Sequence, residues 1–421
     1  MRSQVNQAVR ILLLAALGCL VVFDGIVPAL SRTDSDFGNY LTAAKIAAHG
    51  GPAERLYDDA WFEEQMRLYG TWNGIPGKFS PFTPPTALLL VPLASLTPLD
   101  ALRVVTGVSV LGLIGAIVLL RRVLGWTWSG TALLVLGCGF AVINALRLGQ
   151  PYILVSLACI AGYHARSIGR PWLAGACLGL FVPIKYFPIV MLVYFGCRSE
   201  WRIVAAGAAT IAGIAALSIA VLGWDIHAQY LQSVLTDHLV GKISMQDPFS
   251  ASFQSWDSLL RRLFVLDPEA NPHPWLVLPG LRLVALVAIK AGIALAALMA
   301  LLRWWPAGEA AVAPSIGLIG LTTLLLAPAT ATYHCTLLWL PVGLLAACLL
   351  RERRGSALCA FLAAYALVGS FPHRWVNLFE GRGALTVLAY PRLWLLLLMF
   401  IVCLRSLRQA ASGARLPAAA P

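Results

Sequence analysis

The sequence predicts an all-α integral membrane protein: a bundle of about twelve transmembrane helices, with amphipathic juxtamembrane helices in the first outer loop. Two observations predict this fold class. Of the 421 residues, 59% are hydrophobic and only 12% are charged, which is about half the charged fraction of soluble proteins. Apolar runs of about 17 to 25 residues recur along the chain, and each is long enough to cross a bilayer as a helix.

Ten of these runs are expected to cross once. We place them at 9–30, 99–120, 127–146, 150–165, 203–223, 279–302, 311–328, 334–350, 356–371 and 388–404. A further apolar stretch, 172–196, is interrupted by Pro183 and Pro188 and has arginines at both ends. We expect it to cross out and back as a hairpin with its apex near Lys185, which brings the total to twelve crossings. Residues 84–96 are short and proline-rich, so they are predicted to be re-entrant or interfacial.

The net charge of +12 comes mostly from short basic clusters between the apolar runs. The positive-inside rule places such clusters in the cytoplasm, so the charge indicates topology, and no nucleic-acid partner is predicted. Both termini are then expected on the cytoplasmic side of the plasma (inner) membrane. The chain is predicted to form one polytopic domain over 1–405, followed by a disordered cytoplasmic tail over 406–421. The nine cysteines lie mostly within apolar runs without a CxxC pair, which favours small core side chains.

The same topology leaves two large loops, 31–82 and 224–277, on the periplasmic or extracytoplasmic face. The first loop is predicted to contain two short amphipathic helices near 36–49 and 54–69. Such helices lie at the membrane surface, with their apolar side chains towards lipid or the bundle. We therefore expect any chemistry on this outer face.

Two carboxylates, Asp34 and Asp36, directly follow the first span. A carboxylate at the membrane boundary is well placed to take a proton from a hydroxyl group presented at the lipid surface. The alternative is local: Asp34 or Ser35 caps the helix that begins near Asp36, and Asp36 favours its positive end. Binding of a divalent metal by both carboxylates stays an open alternative, but the sequence has few acidic residues nearby to complete such a site. Neither a metal nor a cofactor is therefore predicted.

Five polar residues in apolar or tightly turning segments are candidates for binding an anion. Lys185 lies in the apolar sequence IKYFP, where an ionisable group is costly; it either pairs with an anionic lipid headgroup or snorkels to an interface. Arg147 and Gln150 share a tight outer turn, where an arginine runs against the charge bias. His334 opens a span after the turn PATATY, as an anion ligand or as a hydrogen-bonded structural residue. Arg374, in SFPHRW, has the same standing as Arg147.

The predicted topology places these candidates on one face of the membrane. One carboxylate with several cations is what a transferase that uses a lipid phosphate donor needs, since the carboxylate acts as the base and the cations neutralise the leaving phosphate. The sequence has no Gly-rich phosphate loop, HExxH, paired CxxC or GxSxG. No motif therefore supports nucleotide hydrolysis, zinc proteolysis or serine esterase chemistry.

An ordered set of motifs resembles a known family. Asp36 is followed in register by Tyr40, and then come SPFTPPTALLLVPLASL, LGQPYILV, VPIKYFP and a histidine after a small polar turn. This set, over roughly residues 30 to 340, resembles glycosyltransferase family 87. Members are polyprenyl-phosphate-mannose-dependent α-mannosyltransferases of the GT-C architecture.

The resemblance implies a GT-C-type helical bundle with a catalytic aspartate in the first outer loop. Asp36 matches that aspartate better than Asp34, because Tyr40 then falls in register. Lys185 matches the family's lysine and His334 its histidine. The sequence departs from the family at Pro151-Tyr152, where an asparagine is usual, and at Thr83, where a tyrosine is common; both departures concern the substrate more than the reaction class.

The resemblance also implies a mechanism. The donor is a sugar, most often mannose, linked through a phosphate to a polyprenyl chain in the bilayer, and the acceptor is a lipid or a glycan. Asp36 takes the proton of the acceptor hydroxyl, and the anomeric carbon inverts in one displacement. Lys185, His334 and Arg147 are then candidates for holding the leaving phosphate.

Two other functions remain open from the sequence. A transporter or lipid flippase would use Asp24, Lys185 or Lys290 as an intramembrane coupling site. It would be expected to carry paired broken helices in inverted repeats, whereas only one broken segment is evident. A scaffold protein without catalysis predicts that Asp36 can be replaced without effect.

Overall fold

The computed structural model is helical throughout the residues it describes. These are residues 2–33, 35–74, 76–239, 247–371 and 373–413. Within them no β-strand forms, and the only extended pairing is an isolated bridge between Asp267 and Asn271. The predicted all-α fold class is confirmed.

The chain forms two compact units. Unit 1 contains residues 1–136 and 142–246, and unit 2 contains residues 137–141 and 247–421. A compact unit is not by itself an independent domain, so the single transmembrane domain over 1–405 stays a prediction.

Thirteen α-helices lie in the described residues before position 240. They are α1 Arg2–Leu20, α2 Val27–Ser31, α3 Ser35–Ala48, α4 Asp59–Leu68, α5 Pro98–Leu124, α6 Trp128–Leu136, α7 Phe140–Arg147, α8 Tyr152–Ser167, α9 Pro171–Phe181, α10 Ile189–Cys197, α11 Trp201–Leu222, α12 Asp225–Gln229 and α13 Leu235–Leu239. A π-helical turn, Val21–Ile26, joins α1 to α2, and another, Tyr230–Val234, joins α12 to α13.

Seven α-helices follow residue 247. They are α14 Trp256–Phe264, α15 Pro279–Trp304, α16 Val312–Leu326, α17 Trp339–Arg351, α18 Gly355–Ser370, α19 His373–Phe379 and α20 Pro391–Gly413. A 3₁₀ helix over Thr332–Leu338 leads into α17, and another over Gly383–Ala389 leads into α20.

Six stretches of the described chain are long and apolar enough to cross a membrane. They are Gln7–Ala48, Pro98–Leu124, Trp201–Leu222, Pro279–Trp304, Gly308–Leu326 and Thr332–Arg351. Two bent helix pairs raise the number to eight. Twelve crossings are not confirmed, because α9 and α18 have only 11 and 16 residues, fewer than the roughly 20 that a bilayer requires.

Two predicted spans are bent. The predicted span 127–146 consists of α6 and α7, whose axes differ by 68°. The predicted span 388–404 begins in the 3₁₀ helix Gly383–Ala389, which meets the following helix at 63°.

The segment predicted as a hairpin is broken where its prolines lie. The helices α9 and α10 are separated by residues 182–188, which contain Pro183, Lys185 and Pro188. α9 packs closely on α11, since a Cβ at Gly175 would lie 2.1 Å from the carbonyl oxygen of Ile203. The close packing at Gly175 therefore fixes α9, the helix that ends at the break, and with it the position of Lys185.

Both helices predicted in the first outer loop are present, as α3 and α4. α3 is not a surface helix: Phe37, Tyr40 and Leu41 are buried and pack against Leu90 and Leu102. Its last turn is held in place by Lys45, whose Nζ donates to the carbonyl oxygens of Ala94 at 2.6 Å and Leu96 at 2.9 Å. α3 is thus an internal element of unit 1, with its last turn anchored by Lys45.

Candidate active site

The first turn of α3 holds Asp36, which is half-buried. Its Oδ2 accepts a hydrogen bond from Nε2 of Gln150 at 2.8 Å. The neighbouring Phe37 is completely buried, so the backbone at this point has little freedom to move. The carboxylate is therefore oriented by a residue 114 positions away in the sequence.

Gln150 is buried and oriented from both ends of its amide. Its Oε1 accepts a hydrogen bond from the hydroxyl of Tyr40 at 2.9 Å, while its Nε2 donates to Asp36. Tyr40, Gln150 and Asp36 thus form one hydrogen-bonded chain. The sequence analysis selected all three residues, and the structure brings them together.

A glycine makes this arrangement possible. Gly149 has φ +60°, and a Cβ there would lie 2.7 Å from Cδ2 of Phe37. A positive φ is costly for a residue with a side chain. Gly149 therefore ends the α7 turn tightly enough to bring Gln150 beside α3.

Lys185 lies in a collar of aromatic rings. Its Nζ is 4.6 Å from the ring centroid of Phe82, 5.2 Å from that of Tyr152 and 5.5 Å from that of Tyr40. The Asp36 carboxylate also attracts this ammonium. Within the described chain, no carboxylate or carbonyl oxygen hydrogen-bonds to Nζ, and the side chain is only half-buried. Cation–π contacts hold the charge while leaving it able to bind an anion.

Thr83 joins the collar to the broken helix. Its hydroxyl donates to the carbonyl oxygen of Pro183, and its Oγ1 lies 2.9 Å from Oγ1 of Thr86. Thr83 is one of the two positions noted above as departures from the resemblance. In this chain a small hydroxyl side chain fixes the break two residues before Lys185.

Arg147 occupies the last turn of α7 and is half-buried. It stands three residues before Gln150, in the turn that orients Asp36. The structure thus places Arg147 in the same unit as Asp36, Tyr40, Gln150 and Lys185.

The sequence analysis missed Lys78. Its backbone N–H donates to Oδ1 of Asn39 at 3.1 Å, and its side chain is buried. Burial lowers the pKa of Lys78 to about 8, while the charges of Asp59 and Asp36 partly oppose that shift. In the loop sequence WNGIPGKFSPF this lysine looks like a solvated loop charge, and only the fold reveals its burial.

His334 lies in unit 2 and belongs to a local turn. Its Nδ1 accepts the backbone N–H of Ala331 at 3.1 Å, and its ring meets the Tyr333 ring edge-on at 4.9 Å between centroids. This bond is of the kind that the structural alternative predicts. Because Nδ1 is an acceptor, the ring proton is on Nε2. A phosphate contact by His334 stays a prediction.

Two predicted site residues cannot be described at the level of their side chains. Asp34 lies outside the described residues, and so does the side chain of Arg374, whose backbone is the second position of α19. Within the described chain, no three His, Cys, Asp or Glu side chains gather closely enough to hold a metal ion. Roles for Asp34 and Arg374 stay predictions.

The other two candidates for an intramembrane coupling site, Asp24 and Lys290, have surroundings unlike those of Lys185. Lys290 forms an ion pair with Asp257, with Nζ 2.5 Å from Oδ2. Asp24 is exposed in the π-helical turn of the first span. Each has its own local surroundings, and neither observation favours a transport pathway.

Comparison with known proteins identifies a family. The sequence profile of glycosyltransferase family 87 matches residues 81–328, which is more than half of the chain. The matched residues include Gln150 and Lys185, begin after Asp36 and end before His334. No curated protein and no solved structure shows significant similarity.

Proposed function

Because the chain belongs to glycosyltransferase family 87 and is therefore a membrane glycosyltransferase, we propose that it moves a hexose, with mannose as the favoured sugar, from a polyprenyl phosphate to an acceptor. The acceptor is a lipid or a glycan, and transfer takes place on the outer face of the plasma membrane. The basic clusters between apolar runs support this orientation, with both termini in the cytoplasm and about twelve crossings in all.

The observation that carries the proposal is the oriented carboxylate beside a collared ammonium. Gln150 fixes Oδ2 of Asp36, and the same Tyr40 that anchors Gln150 contributes a ring to the Lys185 collar. A base and a cation built on shared residues have a fixed relation to each other. Such preorganisation is the main source of electrostatic catalysis.

The proposed reaction is a single displacement. The acceptor oxygen forms a bond to the anomeric carbon as the bond from that carbon to the phosphate oxygen breaks. The proton of the acceptor hydroxyl passes to Asp36, and the electron pair of the broken bond leaves with the polyprenyl phosphate. The anomeric configuration inverts, and no nucleotide takes part.

Lys185 supports the leaving group in this scheme. A sugar phosphodiester carries one negative charge, and the departing phosphate monoester gains a second as the bond breaks. Lys185 can neutralise that growing charge, since aromatic rings surround its Nζ and none of the described carboxylates hydrogen-bonds to it. Arg147, in the turn before Gln150, is proposed as a second cation for the same phosphate.

Donor selectivity tests this proposal. The purified full-length protein in phosphatidylcholine nanodiscs would be supplied with a membrane lipid extract and with radiolabelled polyprenyl-phosphate mannose, polyprenyl-phosphate glucose or GDP-mannose. We expect transfer from a polyprenyl-phosphate donor and none from GDP-mannose, with an inverted anomeric configuration in the product. Transfer from GDP-mannose alone, or a retained configuration, would contradict the proposal.

A further inference from the structure

Unit 2 contains a buried guanidinium, that of Arg392, which the sequence analysis did not select. Arg392 is the second residue of α20, directly after the bend of 63° that follows Gly383–Ala389. Only 7% of its surface is exposed. Burying a guanidinium is costly unless its charge and its five donors find partners.

The hydrogen-bonding capacity of Arg392 is only partly used. Nη2 donates to the carbonyl oxygen of Phe371 at 3.0 Å. Nε is fully buried and has no hydrogen-bond acceptor among the residues described. Nη1 also makes no hydrogen bond to the described residues. Unlike Nε, it is not fully buried. The outer edge of the guanidinium therefore keeps a donor that a ligand can reach.

No carboxylate within the described chain forms an ion pair with Arg392. Its neighbours include the buried thiols of Cys138 and Cys335. The positive charge is accordingly left uncompensated in a largely buried position.

Two other cations of unit 2 have acidic partners. Nη2 of Arg262 lies 2.6 Å from Oε1 of Glu380, and its Nε donates to the carbonyl oxygen of Phe249. Lys290 is paired with Asp257 at 2.5 Å. Unit 2 can thus supply acidic partners where a cation is structural, and it supplies none to Arg392.

The backbone around Arg392 is rigidly held. Its N–H donates to Oε1 of the buried Gln254 at 3.2 Å, and Nε2 of Gln254 donates to the carbonyl oxygen of Ala389 at 3.0 Å. The Gln254 N–H in turn donates to the carbonyl oxygen of Thr330, in the turn before His334. The first turn of a long helix also contributes partial positive charge. The site is positive, anchored and without an internal anion.

We propose that Arg392 and the first turn of α20 bind the phosphate oxyanion of a membrane lipid. Guanidinium groups bind phosphate through charge-assisted hydrogen bonds of fixed geometry. Two lipids present this chemistry: a polyprenyl phosphate and an anionic phospholipid. The proposal concerns binding and holds whether or not the chain transfers sugar.

Equilibrium binding tests the proposal. The full-length protein in phosphatidylcholine nanodiscs would be titrated with farnesyl monophosphate and, separately, with dihexanoyl phosphatidylglycerol. We expect Arg392→Gln to weaken one of the two at least about tenfold, as the loss of a charged hydrogen-bond donor predicts, and Arg392→Lys to recover part of the affinity. Arg354→Gln is the control, because Arg354 is a cation of unit 2 already paired with Glu352 at 3.0 Å.

The outcomes separate the sources of the ligand. Loss confined to farnesyl monophosphate assigns the site to polyprenyl phosphates, and loss confined to phosphatidylglycerol assigns it to phospholipids. Unchanged affinity for both lipids in folded Arg392→Gln overturns the proposal. If that variant does not fold, each lipid with a photoreactive group beside its phosphate would be crosslinked to the wild type. Adducts within residues 369–371 or 389–395 support the site, and adducts only in unit 1 overturn it.

Discussion

The region of Asp36 in unit 1 and the region of His334 in unit 2 use their polar side chains in different ways. Around Asp36, hydrogen bonds join residues more than 100 positions apart: Tyr40 to Gln150, and Gln150 to Asp36. Around His334, the ring bonds to Ala331, three residues away. A long-range chain orients a group with respect to the rest of the fold, whereas a local bond shapes a turn. The first region therefore has the organisation expected of a catalytic centre.

Two lysines in apolar surroundings, one in each unit, also differ in how their charge is held. Lys185 of unit 1 is held by aromatic rings, while Lys290 of unit 2 is neutralised by Asp257. The first arrangement keeps a cation available for an external anion. The second satisfies the charge internally.

The largest contrast is expected from removing these two charges. Lys185→Met should lower kcat/KM about 100-fold and leave folding intact, because the lost charge acts on the leaving phosphate. Lys290→Met should leave activity per folded molecule near the wild-type value but lower stability by about 3 kcal/mol, since Asp257 is then buried without a partner. Sugar transfer and thermal unfolding would be measured for both variants. A stable, inactive Lys290→Met together with an unfolded Lys185→Met would reverse the comparison.

A smaller effect is expected at the turn that positions Gln150. Gly149→Ala should cost about 1–2 kcal/mol for its positive φ, and its Cβ clash with Phe37 should lower transfer about tenfold by displacing Gln150. Gly125→Ala is a matched control, because φ is +68° there and a Cβ would meet no atom within 4 Å. Equal activity losses in the two variants would show that strain, rather than displacement of Gln150, is responsible.

His334 offers a test of the second region. Asparagine can replace the acceptor Nδ1, and glutamine can replace the donor Nε2. If His334 serves only to shape the turn, His334→Asn should transfer sugar at a rate within about twofold of the wild type. His334→Gln should lose about 1 kcal/mol of stability, because the Ala331 N–H then lacks its hydrogen-bond acceptor. A much more active His334→Gln than His334→Asn would instead assign His334 a phosphate contact, as the family resemblance implies.

A pH-dependent effect on stability is expected at Lys78. Its pKa is about 8 in the folded protein and near 10 in an unfolded chain. Between these values the unfolded state binds more protons, so the free energy of unfolding rises with pH across that window. Below pH 8 both states are protonated, and the destabilisation is fully present.

Replacing Lys78 removes this dependence. Lys78→Met should be more stable than the wild type at pH 7, by on the order of 1–3 kcal/mol, and the difference should shrink between roughly pH 8 and 10. Thermal unfolding of both proteins across this range would be compared. A stability difference independent of pH would mean that Lys78 is not the titrating group.

Hydropathy and prolines were enough to predict much of the fold. The helix of the first span, the two helices of the first outer loop and the break at Pro183 and Pro188 all follow from local sequence. The number of crossings does not, because a hydropathy window averages over bends such as the one between α6 and α7. Whether α3 lies on a membrane surface or inside a unit also depends on packing partners distant in the sequence.

The site was predictable to a similar extent. Asp36, Gln150 and Lys185 were selected by motif order, and the structure gathers them in unit 1. Lys78 and Arg392 were missed because a charged residue near a predicted turn looks the same in sequence whether it is solvated or buried. Burial and the absence of an acidic neighbour are properties of tertiary structure.

The most direct test of the central claim is sugar transfer by Asp36→Asn. Asparagine keeps the size of the side chain and an oxygen for Gln150 but cannot take a proton at neutral pH. Asp58→Asn is the matched control, because Asp58 belongs to the same outer loop and caps α4 through the N–H of Trp61 at 3.1 Å, a role that asparagine also fills. With a polyprenyl-phosphate sugar donor, we predict that Asp36→Asn loses at least about 1,000-fold in rate and that Asp58→Asn stays near wild type. Full transfer by folded Asp36→Asn would contradict the account.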